Sequence, residues 1–138
     1  MLLYLSEHIA SKKTNRVMQN QTLTKSEMTV MNILWEMPDG GTVYDVLEKY
    51  EEPKPAYTTI ATFMKILEKK GYLQAKKLSG RTYTYFPLIS KNEYSCRAIQ
   101  EVKKDLFDGS AKSLLSFFVQ NEGLSADDIK ELLQLIKE

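Results

Sequence analysis

One histidine, His8, and one cysteine, Cys96, set the first limits on the chemistry open to this chain. They cannot supply a disulfide framework or a Cys/His zinc site, so no metal and no cofactor are expected, and a reducing cytoplasmic setting is the default. Carboxylates are numerous, yet they stand at helix starts and on polar faces, with no nucleophile–base pair or phosphate-binding glycine loop beside them. An enzyme is therefore not expected. A chemical pattern does appear in Thr58, Thr59, Thr62, Lys65 and Lys69, followed by Lys76, Lys77 and Arg81. Ammonium and guanidinium groups neutralise phosphate, while short hydroxyl side chains let a backbone approach closely and bond phosphate or base edges. That is the chemistry of holding a polyanion.

The charge distribution concentrates this pattern. The formal net charge is only +1, but residues 54–81 carry seven cations against the single acid Glu68, whereas seven cations from Ser90 onward face nine acids. A basic middle third suits a polyanion contact, and it would equally suit a solvated helix face and hairpin.

The elements that must position these groups are signalled locally. A chain of 138 residues with 43% hydrophobic and 27% charged residues is globular, with room for one domain or two small ones. No apolar run is long enough for membrane insertion, and the start MLLYLSEHIASKKTNR lacks the features of a secretory signal. Four capping-box patterns, Thr24–Glu27, Thr42–Asp45, Ser90–Glu93 and Ser125–Asp128, each precede an apolar helical period. The first helix carries Met28, Met31, Leu34 and Trp35, and the second Val43, Val46, Leu47 and Tyr50. A third, near residues 57–70, carries Ile60, Phe63, Met64 and Leu67 and ends at Gly71, where a left-handed cap is wanted. Residues 72–78 and 81–86 read as strands around Ser79-Gly80, with Pro87 closing the second. Helical periods resume from Ser90, through a short segment near residues 111–120, to a last helix after Ser125.

Three short helices and a hairpin, in that order, are the plan of a winged helix, whose third helix enters the major groove and whose hairpin meets the flanking backbone. With Ile60 taken as zero, Thr58, Thr62, Lys65 and Lys69 fall between about 140° and about 200° around the third helix, opposite its apolar face. The hairpin is expected to bring Lys76, Lys77 and Arg81 around its turn. Trp35 and Phe63 are read as core.

The segments LTKSEMTVMNILWEM, AYTTIATFMKILEKKGYL and SGRTYTYFPLIS, with GSAKSLLSFF and LSADDIKELLQLI further on, resemble the penicillinase-repressor family over roughly residues 23–138. The resemblance implies a homodimeric winged-helix repressor on a dyad-symmetric operator of double-stranded DNA. It also implies a C-terminal helical dimerisation domain, and release through cleavage by a membrane metalloprotease sensor or, in one branch, through copper. The copper branch has a cysteine-rich tail, whereas this chain ends KELLQLIKE with only Cys96 upstream, which argues against copper sensing. The place matching the family's Asn–Phe scissile bond is Glu101-Val102, a different dipeptide. Ala61 stands where relatives often carry arginine, so the operator sequence does not carry over.

The fold expected is thus mainly α: an N-terminal extension over 1–22, read as either a short packing helix with Leu2, Leu3, Leu5 and Ile9 or a mobile arm, with Met18 as an alternative start, then a winged helix-turn-helix over 23–89 and a small α-helical dimerisation domain over 90–138. About fifty residues make a poor independent core, and pairing with a second copy would cover it. The residues expected at that interface are Ile99, Val102, Leu106, Leu114, Leu115, Phe118, Ile129, Leu132, Leu133 and Ile136. Packing of these helices onto the winged helix is the other way to bury them. Two other functional classes stay open at this point: a winged helix used as a protein-interaction module without sequence-specific DNA binding, and a small-molecule-responsive regulator. The basic, hydroxylic third-helix face favours DNA over the former, and no sequence feature marks a pocket for the latter.

Overall fold

The computed structural model describes residues 22–137. Leu2, Leu3, Leu5, His8, Ile9 and Met18, all in the N-terminal extension, lie outside the described residues. Helix α1 spans Lys25–Trp35, α2 Val43–Glu48 and α3 Tyr57–Lys69; strands β1 (Leu73–Ser79) and β2 (Thr82–Pro87) follow; α4 (Lys91–Leu106), α5 (Ala111–Glu122) and α6 (Ala126–Lys137) complete the order. This is the mainly α winged-helix plan with a helical C-terminal part.

Three of the four expected capping boxes form in full, and at Ser90 only one bond does, the Glu93 amide donating to Ser90 Oγ at 3.0 Å. The Thr24 hydroxyl accepts from the Glu27 amide at 3.2 Å, and the Thr24 amide donates to Glu27 Oε1 at 3.0 Å, a reciprocal box. Thr42 and Asp45 repeat it at 3.1 and 3.0 Å, and Ser125 with Asp128 at 3.1 and 3.0 Å, so the shorter aspartate closes the box as well as glutamate does. Backbone and side-chain hydrogen bonds from Ser125 hold the Asp128 carboxyl below its ordinary range. At the end of α3 the Gly71 amide donates to Glu68 O at 3.1 Å and the Tyr72 amide to Leu67 O at 2.9 Å, with Gly71 at φ +88°. That pair of bonds is a Schellman cap, and it turns the chain directly into β1.

The core of the first unit is Val30, Met31 and Leu34 from α1, Val43 and Val46 around α2, Ile60, Met64 and Leu67 from α3, and Tyr72, Leu73, Tyr85 and Ile89 from the hairpin and its flanks. One correction concerns α1. Its inward face is Glu27, Val30, Met31 and Leu34, while Met28 and Trp35 are half-buried. The apolar period missed this because its first inward position is a glutamate. Glu27 is only 4% exposed and bonds Lys70 Nζ at 2.7 Å, tying the start of α1 to the end of α3. Trp35 donates its indole N–H to Ile89 O at 2.9 Å, satisfying its polar atom while the ring packs.

The hairpin is antiparallel, with Leu73 opposite Pro87 and Lys77 opposite Tyr83, and the register slips between Lys77 and Ser79, so Leu78 is the extra residue of a bulge. Gly41 adds a short third rung: its amide donates to Tyr85 O at 3.0 Å and its carbonyl accepts from the Tyr85 amide at 2.8 Å. Neighbouring Gly40 sits at φ +77°, where a Cβ would lie 2.7 Å from Phe86 Cε1 and 2.9 Å from Tyr85 O. No other residue type fits there without displacement.

The chain divides into two compact units between Tyr94 and Ser95. The first turn of α4 goes with the first unit, where Tyr94 packs its ring against Trp35 and Tyr72 at centroid distances of 5.9 and 6.0 Å. In the second unit neither α4 nor α5 has a fully buried residue. Asp108 (φ +50°) and Gly109 (φ +77°) turn the chain between α4 and α5, and Gly123 (φ +65°) caps α5.

Candidate nucleic-acid interface

Helix α3 is placed by its apolar face. Ile60, Met64 and Leu67 are sealed against α1 and α2, which fixes the opposite side of the helix toward solvent. On that side a shallow groove is lined by Thr58, Ala61, Thr62, Lys65, Ile66, Glu68 and Lys69. The structure therefore brings Thr58, Thr62, Lys65 and Lys69 together as a stripe along one face. Thr59 is exposed in the first turn but lies outside this groove.

Details of the stripe decide what it can do. The Thr62 hydroxyl donates to Thr58 O at 2.8 Å, so its proton is committed to the helix, and the lone pairs and methyl group are what it offers outward. It is thus suited to accept from an amino group on a base edge or to touch a thymine methyl. Lys65 and Lys69 form no ion pair among the described residues. The start of α3 has Ala56 as its N-cap with no side-chain capping bond, in contrast to α1 and α2.

Two cations of the basic segment are occupied elsewhere. Lys70 is the partner of Glu27, and Lys54 Nζ caps the end of α2 by donating to Glu48 O at 2.9 Å. Burial alone would raise the Glu27 carboxyl, but the Lys70 ammonium and the Thr24 amide outweigh it and hold the group below the ordinary value of 4.5. Position in sequence could not separate these structural lysines from the outward ones, because what distinguishes them is a partner 6 to 43 residues away.

The hairpin modifies another expectation. Lys76 pairs with Thr84 and Lys77 with Tyr83, so the two lysines lie on opposite faces, and only Arg81 stands in the turn itself. The lysines are steadied by aromatic rings, Lys76 Nζ 5.3 Å from the Phe86 centroid and Lys77 Nζ 5.2 Å from that of Tyr83. The three cations thus surround the hairpin rather than lining one side of it.

The spacing also failed to single out Tyr44 and Tyr57. Their rings meet at a centroid distance of 4.6 Å although both are exposed. The available signal was a tyrosine at the start of each of two successive helices.

In the second unit, Ile99, Val102 and Leu106 share one face of α4 and are exposed, Leu106 by 73%. Leu115, Phe118, Leu132 and Leu133 are exposed too, while Leu114 and Ile129 are half-buried. Ile136 sits in α6, and its side chain lies outside the described residues. Glu101 and Val102, the expected cleavage place, are exposed and lie well inside α4. Among the described residues no cluster of ligating side chains could hold a metal, and no helix is long and apolar enough to cross a membrane.

Against known proteins, the family model for the penicillinase repressor matches residues 23–138. The methicillin resistance regulatory protein MecI of Staphylococcus aureus (strain N315) is 29% identical over 122 residues, covering 86% of this chain and 98% of its own length. The penicillinase repressor of Bacillus licheniformis is 28% identical over 116 residues, covering 84% and 90%. Among solved structures, Bordetella bronchiseptica BpsR, whose DNA binding is regulated by 6-hydroxynicotinic acid, superposes with a TM-score of 0.43 and 15% identity, covering 99% of this chain and 91% of that one.

Proposed function

The chain belongs to the penicillinase repressor family, and from that premise we propose that it is a transcriptional repressor that binds double-stranded DNA as a homodimer on a dyad-symmetric operator. The observation that carries this is the α3 stripe: Thr58, Thr62, Lys65 and Lys69 on the face opposite a sealed apolar side. Hydroxyls at the N-terminal end of the helix meet base edges, and the lysines behind them neutralise phosphates. Arg81 and the ring-steadied lysines of the hairpin add sequence-independent contacts to the flanking backbone, so affinity falls steeply with salt. The protein works in the cytoplasm, where bacterial DNA lies.

Dimerisation through the second unit is supported by its exposed apolar faces. A unit this short that exposes Leu106, Leu115, Phe117, Phe118 and Leu133 lacks a core of its own, and a second copy supplies the missing half. Pairing also sets two α3 helices at the separation of half-sites, about 34–36 Å or a multiple. Repression is relieved by a signal that separates the two units or the two copies. A cut at Glu101–Val102 by a membrane metalloprotease sensor would sever α4 and detach the DNA-binding unit from the pairing unit, removing the avidity of the dimer.

Hydroxyl-radical footprinting on DNA from upstream of the protein's own gene tests this. Two protected half-sites related by a dyad, with centres about ten base pairs apart or a multiple of that, are the expected result. One isolated protected patch, or uniform protection, would contradict it.

A further inference from the structure

We propose that Tyr44 and Tyr57 act together as a neutral clamp on the phosphate backbone of duplex DNA, fixing the register in which the α3 stripe meets the major groove. The inference rests on the DNA-binding reading above and adds two residues to it. Tyr44 is the second residue of α2 and Tyr57 the first of α3, directly before Thr58, where the stripe begins. In a helix-turn-helix the first of these helices crosses the backbone while the second enters the groove, so the starts of both lie along the path of one strand.

The pair has the wrong properties for a core contact. Tyr44 is 64% and Tyr57 41% exposed, and neither belongs to the hydrophobic cluster. The rings nevertheless touch, tilted by 42° at a centroid separation of 4.6 Å, so each restricts the other's rotamers before any ligand arrives. Neither hydroxyl has a hydrogen-bond partner among the described residues. Two phenolic O–H donors, pre-oriented and unoccupied, match the anionic oxygens of a phosphate, and a phosphate contact positions the protein without reading sequence. Because the donors are neutral, forming these bonds displaces no counterion. That separates them from Lys65 and Lys69, each of which contributes to the salt slope.

The test is the double variant Tyr44→Phe/Tyr57→Phe of the full chain, which keeps both rings and removes both hydroxyls. Its affinity is measured beside the wild type on the upstream duplex and on a shuffled duplex, over a series of salt concentrations, with the thermal midpoint as a check on the fold. The expected result is weaker binding to both duplexes by a similar factor, about tenfold or more for each hydroxyl, with the preference between duplexes, the salt slope and the thermal midpoint unchanged. Unchanged affinity of the variant would overturn the clamp. So would a loss confined to the upstream duplex, which would make the tyrosines readers of bases, or a shallower salt slope. If the wild type itself binds neither duplex, the DNA-binding reading has failed and the clamp falls with it. If the wild type discriminates and the variant binds equally well, only the clamp has failed.

Discussion

Glu27 shows how a single residue can carry tertiary information that hydrophobic pattern does not contain. It closes the capping box of α1 and receives Lys70 from the far end of α3, in a position only 4% exposed. Because its folded-state pKa is depressed, the stabilisation it contributes is complete above the ordinary value of 4.5 and is lost as the pH falls through the lower folded value. Urea unfolding across this acid range should show the stability gap between wild type and Glu27→Gln closing as the pH drops; a gap that widens would contradict the ion-pair account. Replacing the partner is harsher, since Lys70→Met leaves a buried carboxylate uncompensated and should cost about 3 kcal/mol at neutral pH. At the interface, Thr62→Asp puts a negative charge in the middle of the stripe. It should abolish tight DNA binding with little change in thermal midpoint, whereas retained affinity would move the reading face elsewhere.

Among the elements, the parts legible in the sequence are those set by neighbours along the chain. The boxes at Thr24, Thr42 and Ser125, the glycine stop at Gly71 and the apolar face of α3 all depend on contacts within a few residues, and all are present. What spacing did not disclose depends on partners far away. The inward face of α1 is defined by Lys70, the ends of β1 and β2 by a bulge at Leu78, and the placement of the hairpin lysines by a register in which Lys76 and Lys77 face opposite ways. The Gly40–Gly41 turn belongs to this second group, because its role as a third rung appears only beside Tyr85 and Phe86. Gly40→Ala would meet the Phe86 ring and the Tyr85 carbonyl with its new Cβ while strained at positive φ, and should lower stability by about 2–3 kcal/mol. Thermal unfolding checks this, and an unchanged midpoint would mean the turn relaxes freely.

For the whole molecule, the two units answer different needs. The first has a closed core and an outward basic stripe, while the second carries large apolar residues such as Leu106, Leu115 and Phe118 on its surface. The candidate site itself was legible in the sequence as a face of α3, since helical periodicity assigns both sides of a helix at once. The tyrosine pair was not, because it joins the starts of two helices through space. Leu115→Glu places a charge in the proposed pairing surface, and sedimentation should show monomers whose operator affinity is much weaker than that of the wild type. A stable dimer would remove Leu115 from the interface.

The most direct measurement is fluorescence anisotropy of the full chain with a labelled duplex from upstream of its own gene, against a shuffled duplex of equal length, at two salt concentrations. A sequence-reading repressor should prefer the specific duplex by about 10³ or more and lose affinity steeply with salt. Equal, weak binding to both duplexes would reduce the α3 stripe to a merely basic surface. No binding even at low salt would contradict the account and leave a winged helix that recognises another protein.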